Sequence, residues 1–191
     1  MKKPTLITIC ILAPALFLWG ISYRTQQNDM APNIPKGSWI WSWNNSLDVG
    51  TAVLIEHPHN PQQTRVRRIV ATAGDTVQFI NDGVIVNGRR LPQLDMRVWG
   101  EHSRVWQELS TNSTSEVTWE IVQQNQSSSF STEMMTIPKD HVFLLCDNRA
   151  NCIDSRWWGP VPSSLIKGTI RLSICSFCSQ GMKPESFVLY Y

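Results

Sequence analysis

Asp29, in the stretch TQQNDMAPNIPKG, and Arg67, in RVRRIVATAGD, are the first side chains whose chemistry has to be explained. An aspartate can act as a nucleophile or as one half of an acid dyad that shares a proton. Arginine stays protonated because its pKa lies above ~12, so Arg67 cannot serve as a general base near neutral pH. A third segment, CDNRANCIDSRWWGPVP from Cys146 to Pro162, concentrates two aspartates, two arginines and two cysteines. Cys146, Cys152, Cys175 and Cys178 form an even set, which allows two disulfides in three connectivities in an oxidising compartment. CSFC also has the spacing of a redox pair or half a zinc site, but no βαβ pattern surrounds it. The HPH of His57 to His59 reads as a loop. No metal and no cofactor is expected.

These side chains need elements to hold them. MKKPTLITICILAPALFLWGISYR carries two lysines, an uncharged run from Thr5 to Tyr23, and then Arg24. That run is about long enough to cross a ~30 Å hydrocarbon core. The lysines place the N-terminus in the cytoplasm. The expectation is a cytoplasmic N-terminus over residues 1–4, a transmembrane anchor over 5–23 that includes Cys10, and an extracytoplasmic domain over 24–191. A cleaved signal peptide, with GIS at Gly20 to Ser22 as its small-residue site, is the competing reading.

Beyond the anchor the signals are short and strand-like. SWIWSW puts Trp39, Trp41 and Trp43 on one face of a strand, which serves either a core or a surface resting on lipid. TAVLIEH, TVQFINDGVIVNGRRL, HVFLLCDN and GTIRLSI supply further strands, with Asp and Gly in AGDTV and DVGTAV at the turns. Residues 91–137 shift to Ser, Thr, Gln and Asn and read as a polar inserted lobe, weakly packed on the core. The fold class is mostly β with one N-terminal transmembrane helix. A net charge of +2 with 17% charged residues gives no basic stripe, which sets nucleic acid aside.

MAPNIPKG, RVRRIVATAGD and DNR…DSRWWG, in this order, together with DVGTAVLIEHP, NDGVIVNGRRL and PVPSSLIKGTIRLSI, resemble the type I signal peptidases. These membrane-anchored Ser/Lys proteases remove signal peptides from exported proteins. The resemblance implies a signal-peptidase-like β domain. The family mechanism needs a serine directly before the methionine of MAP and a lysine directly before the arginine of RIVATAGD. Those slots hold Asp29 and Arg67. Two supporting slots, an oxyanion-binding hydroxyl and a lysine-orienting serine, hold Gln27 and Cys152. The resemblance implies that Asp29 and Arg67 face each other as an ion pair, and no second aspartate aligns to the nucleophile slot.

The scaffold positions match the family: Met30, Pro32, Gly37, Arg68, Gly74, Asp75, Asp147, Asn148, Arg149, Asp154, Ser155, Arg156 and Gly159. Most of these read as structural, with Arg68 and Asp154 expected to form a buried ion pair. Cys146 and Cys152 flank DNRAN at a spacing that permits a bridge. A matching scaffold around four altered slots implies a catalytically inactive, signal-peptidase-like protein of the cytoplasmic (inner) membrane. Its expected partners are membrane lipid and an extended segment of an exported protein, with a pilin or pilus component as the first candidate. The alternative is an active signal peptidase or conjugative-pilin peptidase.

Overall fold

Strands form where period-two apolar patterns meet turn residues, and the computed structural model describes residues 21–43, 46–81, 83–99, 101–112, 115–124, 131–150, 152–175 and 186–189. β1 (Ile21–Arg24) and β2 (Trp39–Ser42) pair antiparallel, with Tyr23 opposite Ile40. β3 (Ala52–His57) turns at Pro58 and His59 into the long β4 (Asn60–Thr72). β12 (His141–Leu145), β13 (Val161–Pro162), β14 (Ile166–Cys175) and β15 (Ser186–Leu189) come from the C-terminal third. These strands form one eight-stranded sheet in the order β1-β2-β14-β3-β4-β12-β13, with β15 also on β14. β14 therefore sits between β2 and β3, pairing its first half with β3 and its second with β2.

The middle of the chain makes two smaller sheets. β5 (Thr76–Ile80), β6 (Gly83–Val86), β7 (Arg89–Arg90) and β11 (Met135–Thr136) form one of four strands; β8 (Gln93–Trp99), β9 (Ser103–Asn112) and β10 (Ser115–Gln124) form one of three. A single helical turn, α1 (Ser155–Trp158), precedes β13. The mostly β reading holds.

Two expectations need correction. Ile21 to Tyr23, assigned to the apolar helix, are strand β1: Tyr23 packs beside the buried Met30, Ile34 and Ile40, and pairing with β2 satisfies the backbone. Residues 5–20 of the expected anchor, and the N-terminus before them, lie outside the described residues. Among the described residues no helix is long and apolar enough to cross a membrane.

The inserted lobe is not weakly packed. Trp119 and Ile121 of β10 are buried with Val70, Phe79, Phe143 and Leu145 in one core cluster, and Trp106 and Val117 pack against it. Some of its polar side chains are outward, such as Thr118 and Gln124, whereas Glu108, Ser110 and Gln123 are buried with the apolar ones. The polar stretch NQSSSF, over 125–130, lies outside the described residues.

Trp39 and Trp43 are each 46% exposed and alternate with the buried Ile40 and Ser42. The tryptophan face points away from the core.

Candidate functional site

Asp29 hangs from a pinned loop. Thr25 Oγ1 donates to Pro35 O at 2.7 Å, Ile34 N to Met30 O at 2.7 Å, and Lys36 N to Asn28 Oδ1 at 3.1 Å. Met30, Ala31 and Ile34 are buried, and the Ala31–Pro32 peptide is cis. Apolar anchors on either side thus leave Asp29 half-buried at the surface of the loop. Asn148 fixes it from the other side, its backbone N–H donating to Asp29 O at 2.9 Å and its side-chain amide to Asn28 O at 3.2 Å.

Strand alternation sends the adjacent arginines of β4 to opposite faces. Arg67 turns to Asp29, donating from Nη1 to Oδ2 at 3.0 Å; the expected ion pair forms. The same guanidinium donates to Val66 O at 2.6 Å and to Ile153 O at 2.9 Å, and lies 5.3 Å from the Trp158 ring centre. Its side chain is 2% exposed, and its Nε is buried without an acceptor. Burial lowers the Arg67 pKa from the ordinary arginine value, while Asp29 and Asp154 oppose that shift. A group that begins this high remains a cation and a donor, so it cannot take a proton from a nucleophile.

Arg68 turns the other way. It grips Asp147 with two hydrogen bonds, Nε to Oδ1 at 2.7 Å and Nη2 to Oδ2 at 2.6 Å, and donates to Gly50 O at 2.6 Å. The expected Arg68–Asp154 pair is therefore not made. Asp154 caps α1 through Arg156 N, accepts from Cys146 N at 3.0 Å, and pairs with Arg156 at 2.8 Å. A helix N-terminus already offers a carboxylate the donors it needs. Ser155 Oγ accepts from Leu144 N at 3.0 Å, tying α1 to β12. Asp75 closes the β4–β5 turn by accepting from Thr72 N at 2.8 Å and from Asn87 Nδ2 at 2.8 Å.

Cys146 and Cys152 are joined by a disulfide, and Cys175 is disulfide-bonded as well; Cys178 lies outside the described residues. The bridged loop carries Asp147, Asn148 and Arg149, which reach the sheet, the Asp29 loop and the inserted lobe. Arg149 donates to Cys146 O at 2.8 Å and pairs with Glu108 of β9. Sequence reasoning missed Glu108. It is fully buried, and it also accepts from Trp119 Nε1 at 3.1 Å and Gln93 Nε2 at 3.0 Å. The alternation Trp106, Glu108, Ser110 was the available signal, since it puts Glu108 on the same face as a large apolar residue.

Asp29 and the sulfurs of Cys146 and Cys152 lie within 4.8 Å of one another. The sulfurs are bonded to each other and the carboxylate to Arg67, so this trio lacks the free thiolates that a soft metal takes. His57 and His59 have ring centres 6.2 Å apart, and His57 packs edge-on against Trp158 at 4.7 Å.

An open groove of about 920 Å³ runs over the Asp29–Arg67 pair. Gln27, Lys36, His57 and Arg65 line it with Cys152, Ile153 and Trp157. Gln27 is exposed at this rim, and Cys152 is half-buried in its wall.

The sequence model of the family described as signal peptidase, peptidase S26, matches residues 2–175. The chain belongs to this family. A signal peptidase I of Bacillus caldolyticus is 24% identical over 173 residues, covering 88% of this chain and 87% of the relative. The mitochondrial ATP-independent inner membrane protease subunit 1b of Arabidopsis thaliana is 26% identical over 128 residues, covering 67% of this chain and 50% of the relative. Among solved structures, a signal peptidase I from Enterococcus faecalis V583 matches with a TM-score of 0.39 and 19% identity, covering 64% of this chain and 94% of that one. Within the peptidase S26 match fall the Asp29 loop, both arginines of β4 and the whole bridged loop.

Proposed function

We propose that this chain is a non-catalytic member of the signal peptidase family that binds an extended segment of an exported partner. The observation that carries the reading is the Asp29–Arg67 ion pair, 3.0 Å across, between the two residues that the resemblance of their motifs matches to the family's serine and lysine. A serine–lysine dyad works because burial leaves the lysine neutral enough to accept the serine proton. Here the carboxylate and the guanidinium neutralise one another, and neither is left to move a proton. Gln27 and Cys152 stand where the oxyanion hydroxyl and the lysine-orienting serine would be, with Cys152 tied up in its bridge.

Peptide capture needs no chemistry, only a strand edge and pockets for alternate side chains. β4 pairs with β12 only from Arg68 onward, whereas its pairing with β3 runs down to Asn60. The outer edge of residues 60–67 therefore carries no strand among the described residues. This edge runs into the groove beside Gln27 and Asp29.

The apolar residues before β1 serve as the single-pass anchor in the cytoplasmic membrane, and Trp39, Trp41 and Trp43 rest on its outer surface. This places the groove where exported chains emerge, and a pilin or another component of a surface structure is the partner this reading favours.

The test is made with full-length protein in detergent, freed of the host's own signal peptidase and incubated with preproteins. The expected result is no processing above background and retention of an exported protein on the wild type. Removing nucleophile and base from a serine protease leaves at most ~10³ to 10⁴ of acceleration over water. Turnover that disappears in Asp29→Ala would overturn the reading and make Asp29 a nucleophile, the alternative of an active peptidase. Asp29→Ser with Arg67→Lys is the reciprocal variant, and partial recovery of cleavage would show that the groove itself is intact.

A further inference from the structure

We infer that the groove selects a partner segment carrying acidic side chains, and that Arg65 and Lys36 are the residues that read them. The inference rests on the peptide-binding reading and specifies its ligand. Among the described residues lining the groove the only carboxylate is that of Asp29, and it is engaged by Arg67. Lys36 and Arg65 line the same groove, and among the described residues neither has a carboxylate within 4.0 Å. Arg65 is held along β4, donating from Nη1 to Thr64 O at 3.4 Å and from Nη2 to Gln63 Oε1 at 2.5 Å. These partners are neutral, so they orient the guanidinium without cancelling its charge.

A neighbouring imidazole registers the resulting field. The His57 pKa is lowered first by burial, which opposes charge of either sign, and then by the positive charges of Arg65, His59 and Arg67, which oppose only further positive charge at this wall. Negative charge is correspondingly favoured there. The same groove also offers apolar area: Ile153 is 59% exposed and Trp157 69% exposed. A segment laid along the unpaired edge of residues 60–67 would direct alternate side chains to one side. Acidic residues flanking a large apolar one match a lining that carries both cations and apolar area. An anionic lipid headgroup could satisfy the cations, but it has no main chain to pair with that edge. The peptide is the occupant the geometry favours.

The experiment uses full-length protein in a neutral detergent and two fluorophore-labelled, end-blocked peptides with the same Val/Thr flanks, one centred on Glu-Trp-Asp and the other on Gln-Trp-Asn. Anisotropy titrations should show the acidic peptide binding about tenfold more tightly at low salt, the typical yield of two surface ion pairs. The advantage should shrink as ionic strength rises. The difference between the two peptides should vanish in Lys36→Gln with Arg65→Gln. Equal affinities for the two peptides in the wild type would overturn this inference and leave the peptide-binding reading standing. Failure of both peptides to bind would overturn that reading and the inference with it. Phosphatidylglycerol vesicles are the third arm. If they displace the acidic peptide from wild type, and their own binding is lost in the double variant, the cations read lipid and the inference is wrong.

Discussion

The Arg149 guanidinium reaches out of the disulfide-closed loop to pair with Glu108, a completely buried carboxylate of the inserted lobe. Neither charge has another ionic partner within 4.0 Å among the described residues. Removing one side of such a pair strands the other in a low-dielectric site. Glu108→Ala should therefore lower unfolding free energy by about 3 to 5 kcal/mol, measured by urea denaturation of the oxidised protein. A loss below about 1 kcal/mol would mean that the lobe does not depend on this contact.

Asp29 and Arg67 should behave as a coupled pair. Asp29→Ala leaves Arg67 buried with the backbone carbonyls of Val66 and Ile153 as its only acceptors among the described residues. The expected cost is about 3 kcal/mol, at the lower end because Asp29 is partly exposed. Arg67→Leu in the Asp29→Ala background should recover part of that loss, since a packed apolar side chain needs no counter-ion. Strict additivity in the double-mutant cycle would contradict the coupling.

Gly50 sits at φ +90°, and a Cβ built there would lie 2.5 Å from Val117 Cγ1 and 3.4 Å from the Trp119 ring. Its carbonyl also receives Arg68. Backbone strain and overpacking act together at this junction of the main sheet and the lobe. Gly50→Ala should cost about 2 kcal/mol or more. Thermal unfolding compared with Gly37→Ala, where the added Cβ meets nothing within 4 Å, isolates the packing part.

His57 should titrate below its ordinary value of 6.5, and Arg65→Gln should move the midpoint upward. The sign for stability depends on which state binds the proton first. As pH falls, the unfolded chain is protonated near 6.5 while the folded imidazole still resists, so the folded state loses stability on acidification and keeps it in full above that pH. Imidazole resonances followed by NMR give the midpoint directly. An upward midpoint in the wild type, or no response to Arg65→Gln, would contradict the cationic wall.

Much of the site was legible because its residues sit in compact motifs. Asp29 and Arg67 each occupy one slot of a short pattern, and strand alternation alone sends Arg67 and Arg68 to opposite faces. The partner of Arg68 was not legible. Asp147 and Asp154 lie in the same segment, and only the path of the bridged loop decides which of them meets the β4 arginine and which caps α1. The inserted lobe was misread for a related reason. Ser, Thr, Gln and Asn set its average composition, but its packing depends on a few buried side chains, with Trp119 and Ile121 among them. Glu108 finds its counter-charge 41 residues further along, beyond the reach of any local window. The boundary at Ile21 to Tyr23 failed because hydropathy reads the chain in isolation, whereas β2 recruits those residues by backbone pairing.

β14 has a consequence for the order of assembly. It lies between β2 and β3, which succeed each other closely in the chain but do not touch as strands in the sheet. A chain emerging N-terminus first can form the β3–β4 hairpin early. The strands flanking the Asp29 loop must wait for residues 166–175 before they are fastened to the rest of the sheet. Such long-range closure is slow, and it exposes unpaired strand edges in the meantime. The groove is thus finished only after most of the polypeptide has been made, so a chain interrupted before β14 would carry every groove residue and still present no groove.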